Sequence, residues 1–170
     1  MHALLNSTLI SRVRRNHGLE HATIHLLSAR YPRTWLVGRS DFSGFFLMGD
    51  VPGEAVAQAA QRALERLRAG ERRLAIHPNC GTNLLTAGIL AGSAAYLTLT
   101  GSSSRDWRDR FDRLPLAILA SLIGILVSSP LGTLLQVRLT TEGNPRGLEI
   151  LSVHTWSRGS ARLHRVRTYG

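Results

Sequence analysis

Three side chains near the start of this 170-residue chain, His17, Glu20 and His21, have the types and spacing that metal chemistry needs. On a helix, His17 and His21 lie one turn apart on one face, so both imidazoles can reach a single ion. Glu20 falls at the edge of that face, where a carboxylate can hold a water instead of the metal. A second string, His77-Pro78-Asn79-Cys80, places an imidazole and a thiol two residues apart across a turn.

The order His-x-x-Glu-His is that of the inverted zinc-peptidase motif, in which two His bind zinc and the Glu is general base toward a water on the ion. Composition alone yields such a pentapeptide in roughly one chain of this kind in a hundred. A helical His pair gives two ligands, and zinc takes three or four. The remaining candidates are His77, Cys80, His25 and an acid such as Asp41 or Glu71. His77 and Cys80 are favoured, because a turn presents both to one ion and Cys80 precedes a helix whose N-terminal dipole favours thiolate. Taken alone, Cys80 would read as a small buried hydrophobe. His25 lies two turns beyond His17, rotated around the helix, and reads as a supporting donor or polar core residue. His2, His154 and His164 have no partner at ligand spacing and are expected at the surface.

Composition restricts the setting. The formal net charge is +10, and every basic residue except the histidines is Arg. Such a balance favours anionic head groups, nucleic acid or acidic substrates. No recognition fold or stacking pattern accompanies the charge, so nucleic acid is not expected. The single cysteine excludes an intrachain disulfide. The first ten residues are too short and interrupted for a signal-peptide core and read as the first turns of a helix, on a membrane surface or frayed.

Thr82–Ser104 and Leu114–Val137 contain no charged residue, and a transmembrane helix needs roughly 20 mostly apolar residues. Both runs qualify. The second contains Ser128-Ser129-Pro130, where a kink or early end is expected. Gly88-x-x-x-Gly92 on one run and Ala117, Ala120, Ser121 and Gly124 on the other offer small faces for close packing, within the hairpin or with a second copy. Arg is denser in total outside the 101–113 connector, so the positive-inside rule puts both termini in the cytoplasm. A soluble two-helix core is the plain alternative.

The remainder predicts an α+β region. Leu4–Ala29 reads as a helix ended by Tyr31-Pro32. Thr34–Val37 and Phe45–Met48 read as a hairpin around the Gly38–Gly44 segment. A helix opens at Pro52 with Val56, Ala59, Ala60, Ala63, Leu64 and Leu67 at helical spacing, and Gly70 closes it. Arg73–Ile76, Gln136–Thr141 and Leu148–Val153 read as further strands. Trp156–Gly170 reads as a solvated or lipid-facing basic tail.

With these strings in hand, the chain resembles the YqhQ-like family of uncharacterised bacterial membrane proteins, described as predicted metal-dependent enzymes. The strings are His17-Gly18-Leu19-Glu20-His21, His77-Pro78-Asn79-Cys80-Gly81-Thr82 and Leu135-Gln136-Val137-Arg138-Leu139-Thr140-Thr141, with Glu149-Ile150 following. It departs from that family in Ala22, where Lys is usual, in the added His25 and in having two spans, so a compact sister group is the alternative. The resemblance implies a shared metal site in a bacterial inner (cytoplasmic) membrane and supplies no reaction.

The expected architecture is therefore α+β with a transmembrane helical hairpin: a metal-site region at 1–81, a hairpin at 82–137, and C-terminal strands with a basic tail at 138–170. The expected function is that of a membrane-anchored hydrolase holding a divalent ion, zinc by preference, through His17, His21, His77 and Cys80, with Glu20 as catalytic base. The alternative is a scaffold or adaptor with a structural zinc, since four protein ligands close a site that catalysis needs open. In either reading the lipid bilayer is a partner and the substrate is unnamed.

Overall fold

The computed structural model describes residues 8–101, 107–158 and 161–170. The reading of the first residues as a membrane-surface or frayed helical start thus falls largely outside the described part. By internal contacts the chain forms two units, Met1–His77 with Val137–Gly170, and Pro78–Gln136.

In the first unit, helix α1 (Thr8–Arg30) buries Leu19, Ala22, Ile24 and Leu27. It stops before Pro32, whose ring disfavours helical geometry in the residue preceding it. Strands β1 (Val37–Asp41) and β2 (Gly44–Met48) pair across the two-residue turn Phe42-Ser43. The segment expected as a broad loop from Gly38 to Gly44 is thus mostly strand. Asp41 tightens the turn by accepting from the Ser43 N–H at 2.8 Å and the Ser43 hydroxyl at 3.1 Å. Helix α2 (Gly53–Arg68) buries Val56, Ala60, Ala63, Leu64 and Leu67, the stripe expected from its spacing. Gly70 follows with φ +96°, its N–H on the Leu67 carbonyl at 3.1 Å.

Arg72–Ala75 is a 3₁₀ turn rather than a strand. Glu149–Arg158 (β3) and Ala161–Tyr169 (β4) complete an antiparallel sheet of order β1-β2-β4-β3. The residues expected as a basic tail therefore form an interior strand. Alternation explains it: His164, Val166 and Thr168 point inward and are buried, while Leu163 and Arg167 point outward and are exposed. Arg165 is also outward, yet it is 8% exposed because its guanidinium lies 4.3 Å from the Phe46 ring centre and pairs with Asp41 at 2.8 Å. His164, expected at the surface, is fully buried with Nδ1 2.9 Å from the Thr155 hydroxyl, and burial lowers its pKa. The core lies between the sheet and the helices, with Phe45, Leu47, Val51, Leu148 and Val166 meeting Leu19 and the α2 stripe.

In the second unit, α3 (Gly81–Thr100) and α5 (Leu114–Leu135) form a hairpin, with short α4 (Trp107–Asp112) before α5. Both long helices are long and apolar enough to cross a membrane, with mean hydropathy 1.2 and 2.1 in their most apolar windows. Their apolar side chains face outward, Leu84 at 77% and Leu126 at 75% exposure, unlike the core helices of the first unit.

The helices meet through the small residues of α5. A Cβ at Gly124 would stand 3.0 Å from the Leu90 carbonyl oxygen, Ser121 donates to the Ala91 carbonyl at 3.2 Å, and Ala117 is buried. Gly88 and Gly92 have nothing within 4 Å of an added Cβ, so the G-x-x-x-G face expected to pack looks away from this contact. Pro130 is accommodated within α5, and Gln136–Thr140 continues as a π-helical turn where a strand was expected. Gln136 is fully buried and donates to the Asn83 side chain at 2.7 Å.

Candidate metal centre

The string Asn16–His21 divides its side chains between two neighbours. Asn16 and Glu20, one turn apart, face the sheet. The Asn16 amide donates to the Asp41 carbonyl at 2.9 Å and accepts from the Thr168 hydroxyl at 2.7 Å. Glu20 is 3% exposed, and Oε2 accepts a hydrogen bond from the Ser40 hydroxyl. Gly38 lies against the same carboxylate, and a Cβ there would overlap it. Strand β1 is thus shaped to receive Glu20.

His17 and His21 face the other way, with ring centres 4.3 Å apart. His17 Nδ1 is 2.9 Å from the Thr140 carbonyl oxygen, and His21 Nδ1 is 2.7 Å from that of Ala75. A carbonyl only accepts, so in each ring Nδ1 carries a proton and donates, and Nε2 is the nitrogen that ligates in the neutral tautomer. Ligating histidines are held in the same way, the second nitrogen fixing tautomer and ring direction.

The 3₁₀ turn delivers these acceptors in sequence. The Ala75 carbonyl serves His21, the Ile76 carbonyl serves His25 Nε2 at 2.8 Å, and His77 itself follows. The His77 ring centre is 5.7 Å from that of His21 and 4.7 Å from that of His25. Burial foremost, then the adjoining His25 and His21, pulls the His77 pKa down to about 4. His77 is therefore a neutral imidazole at pH 7, the form that binds metals.

Gly18 explains how the turn comes so close. A Cβ at position 18 would meet the Glu142 carbonyl oxygen at 2.5 Å and the Ala75 Cβ at 3.2 Å. Arg14 closes the other side, donating to the carbonyls of Arg138 at 3.2 Å and Thr141 at 3.1 Å, while the Glu142 N–H bonds the Arg14 carbonyl at 3.0 Å.

Cys80 is the buried N-cap of α3, three residues beyond His77. His17, His21 and Cys80 lie close enough to hold a metal ion, each offering a ligand atom within 4.8 Å of the other two. Ligands of one tetrahedral zinc stand roughly 3.5 Å apart, given bonds of about 2.0–2.3 Å. Two imidazole nitrogens and a thiol also form a donor set suited to a borderline-soft ion. The residues present fit a metal.

Of the other sequence candidates, His25 is the supporting neighbour described above. Asp41 is committed to Arg165, and Glu71 pairs with Arg66 on the surface. Gly18, Gly38, Ser40 and Thr140 escaped the sequence reading. Gly18 lies inside the motif and Gly38 opposite it, neither with chemistry of its own, and Thr140 acts through its main chain.

A family model described as a domain of unknown function, DUF6391, matches residues 12–153, which include every residue of this cluster, and the chain belongs to that family. It is 46% identical over 99 residues to an uncharacterised protein of Picosynechococcus sp., covering 50% of this chain and 48% of the relative. The chain thus spans about half the length of that curated relative. No solved structure matches it significantly.

Proposed function

We propose that this protein is a membrane-anchored, metal-dependent enzyme, with zinc as the ion and hydrolysis as the reaction class. One observation carries the reading: His17 and His21 both donate Nδ1 to main-chain carbonyls, as ligating histidines do, and with Cys80 they offer ligand atoms within 4.8 Å of one another. His17, His21 and Cys80 would hold the ion, and three protein ligands leave the fourth position for substrate. Zinc bound there supplies Lewis acidity toward a carbonyl or a water. Glu20, seated on Ser40 and β1 on the side of α1 away from the two imidazoles, would take and return a proton only after turning from the Ser40 hydroxyl. The two apolar helices would anchor the protein in a bacterial cytoplasmic membrane, both termini on the Arg-rich cytoplasmic side. Kinship with the YqhQ-like proteins rests on the three motif strings quoted above.

A second reading is favoured by the seating of Glu20 on Ser40 and Gly38, which gives the carboxylate a structural role. His77 would then be the fourth ligand, and the closed site would pin the first helix to the start of the hairpin in a scaffold.

Elemental analysis of the detergent-purified full chain tests the shared premise. We expect about one zinc per chain in the wild type and near-complete loss in a His17→Ala/His21→Ala variant that keeps its helical circular dichroism. Equal metal content in the two would remove the site from both readings.

A further inference from the structure

The strand register assembles a surface that the metal chemistry does not use. Val37 pairs with Met48, Met48 with Leu163, and Leu163 with Trp156. Directly paired residues share a face, so these four side chains form one apolar row across all four strands. They lie opposite the buried Phe45, Leu47, His164 and Val166, on the face that neither helix covers. All four are exposed, from 37% at Val37 to 54% at Trp156. Trp35, two residues before Val37, is 74% exposed.

The adjoining rows are basic. Arg39 pairs with Phe46, Phe46 with Arg165 and Arg165 with His154, while the next row carries Arg167. Asp41, in that last row, is neutralised by Arg165, and Glu149, paired with Tyr169 at the far end of the face from the apolar row, is a second acid. Arg39 and Arg167 remain as exposed positive charges beside the apolar row.

We propose that this outer sheet face docks on an anionic lipid surface, the apolar row entering the head-group layer and Arg39 and Arg167 meeting lipid phosphates. The inference rests on the membrane-anchored reading above. Aliphatic and Trp side chains flanked by Arg are the composition of interfacial binding. Connectivity adds a second argument: this unit joins the apolar hairpin at both Pro78 and Gln136, so a membrane-inserted hairpin tethers it twice and holds its local concentration at the bilayer high. A second copy packed face to face would oppose two faces that each carry Arg39, Arg165 and Arg167 against only Asp41 and Glu149. For a nucleic acid, Phe46 is covered by the Arg165 guanidinium and Tyr169 is approached by that of Arg12, so Trp156 stands alone in the row, where sheet readers stack bases on several rings.

The test uses the full chain with Trp35→Phe and Trp107→Phe, which leaves Trp156 as the sole tryptophan. It is reconstituted into vesicles of phosphatidylcholine alone or mixed with phosphatidylglycerol. Trp156 fluorescence is quenched from the lipid side with brominated acyl chains and from water with iodide. The expected result is several-fold stronger lipid-side quenching in the anionic vesicles. An Arg39→Glu/Arg167→Glu variant should abolish that difference while alkali-resistant insertion is retained. Retained insertion with Trp156 equally open to iodide in both lipids overturns the docking alone. Loss of insertion overturns the membrane reading and the docking together. Burial of Trp156 that follows protein concentration, or that needs added RNA, assigns the face to another occupant and also overturns the proposal.

Discussion

Glu20 is the residue on which the two functional readings divide. Its carboxylate is buried, bonded by Ser40 and bounded by Gly38. Glu20→Gln preserves shape and an acceptor for Ser40 while removing the proton-carrying group. We expect this variant to keep its metal and to lose on the order of 1 kcal/mol of stability, as a charged acceptor for Ser40 becomes a neutral one. Metal lost with Glu20→Gln would make the carboxylate a ligand instead. Gly38→Ala pushes a methyl into the carboxylate, and overpacking of this kind costs on the order of 1–3 kcal/mol. Thermal unfolding reads it, and an unchanged midpoint would mean that Glu20 does not rest on β1. At this scale the sequence was informative about the ligand-type side chains, because their identity and 3.6-residue spacing carry the signal. It was silent about Thr140 and Ala75, whose contribution is a carbonyl that every residue possesses.

Elements proved harder to read than residues, and β4 is the instructive case. Four Arg between positions 158 and 167 suggested a solvated tail, yet the alternation of His164, Val166 and Thr168 with outward residues is the signature of a strand. Charge masked period. Likewise the Arg73–Ile76 run has β-prone residues but folds as a 3₁₀ turn, which brings the Ala75 and Ile76 carbonyls to the histidines of α1. In the hairpin the small-residue pattern was right in kind and half right in place, since any apolar helix is rich in Gly and only geometry tells which ones touch. Gly124→Leu should therefore separate α3 from α5, at a cost on the order of 1–3 kcal/mol. Gly92→Leu, which meets open space, should be near neutral. Differential scanning calorimetry in detergent distinguishes them, and equal effects would refute the assigned contact.

For the whole molecule, the controlling fact is that the hairpin interrupts one folded unit. Residues before His77 supply α1, α2 and two strands, and residues after Val137 supply β3, the interior strand β4, and the buried Leu148 and Val166. A chain ended at Gln136 would leave β2 without its β4 partner and expose Phe45 and Leu47. We expect it to lose the cooperative thermal transition of the first unit, followed by circular dichroism. A retained sharp transition would show that the first 77 residues fold alone.

The late placement of Thr140 has a temporal meaning. A ribosome makes α1 first, then the greasy hairpin, and only afterwards the carbonyl that orients His17. A nascent chain halted before that point owns both imidazoles but lacks one of the two clamps that fix their nitrogens. The clamp on His17 is therefore completed only after the hydrophobic segments have been made, an order of maturation set by where Thr140 stands in the chain.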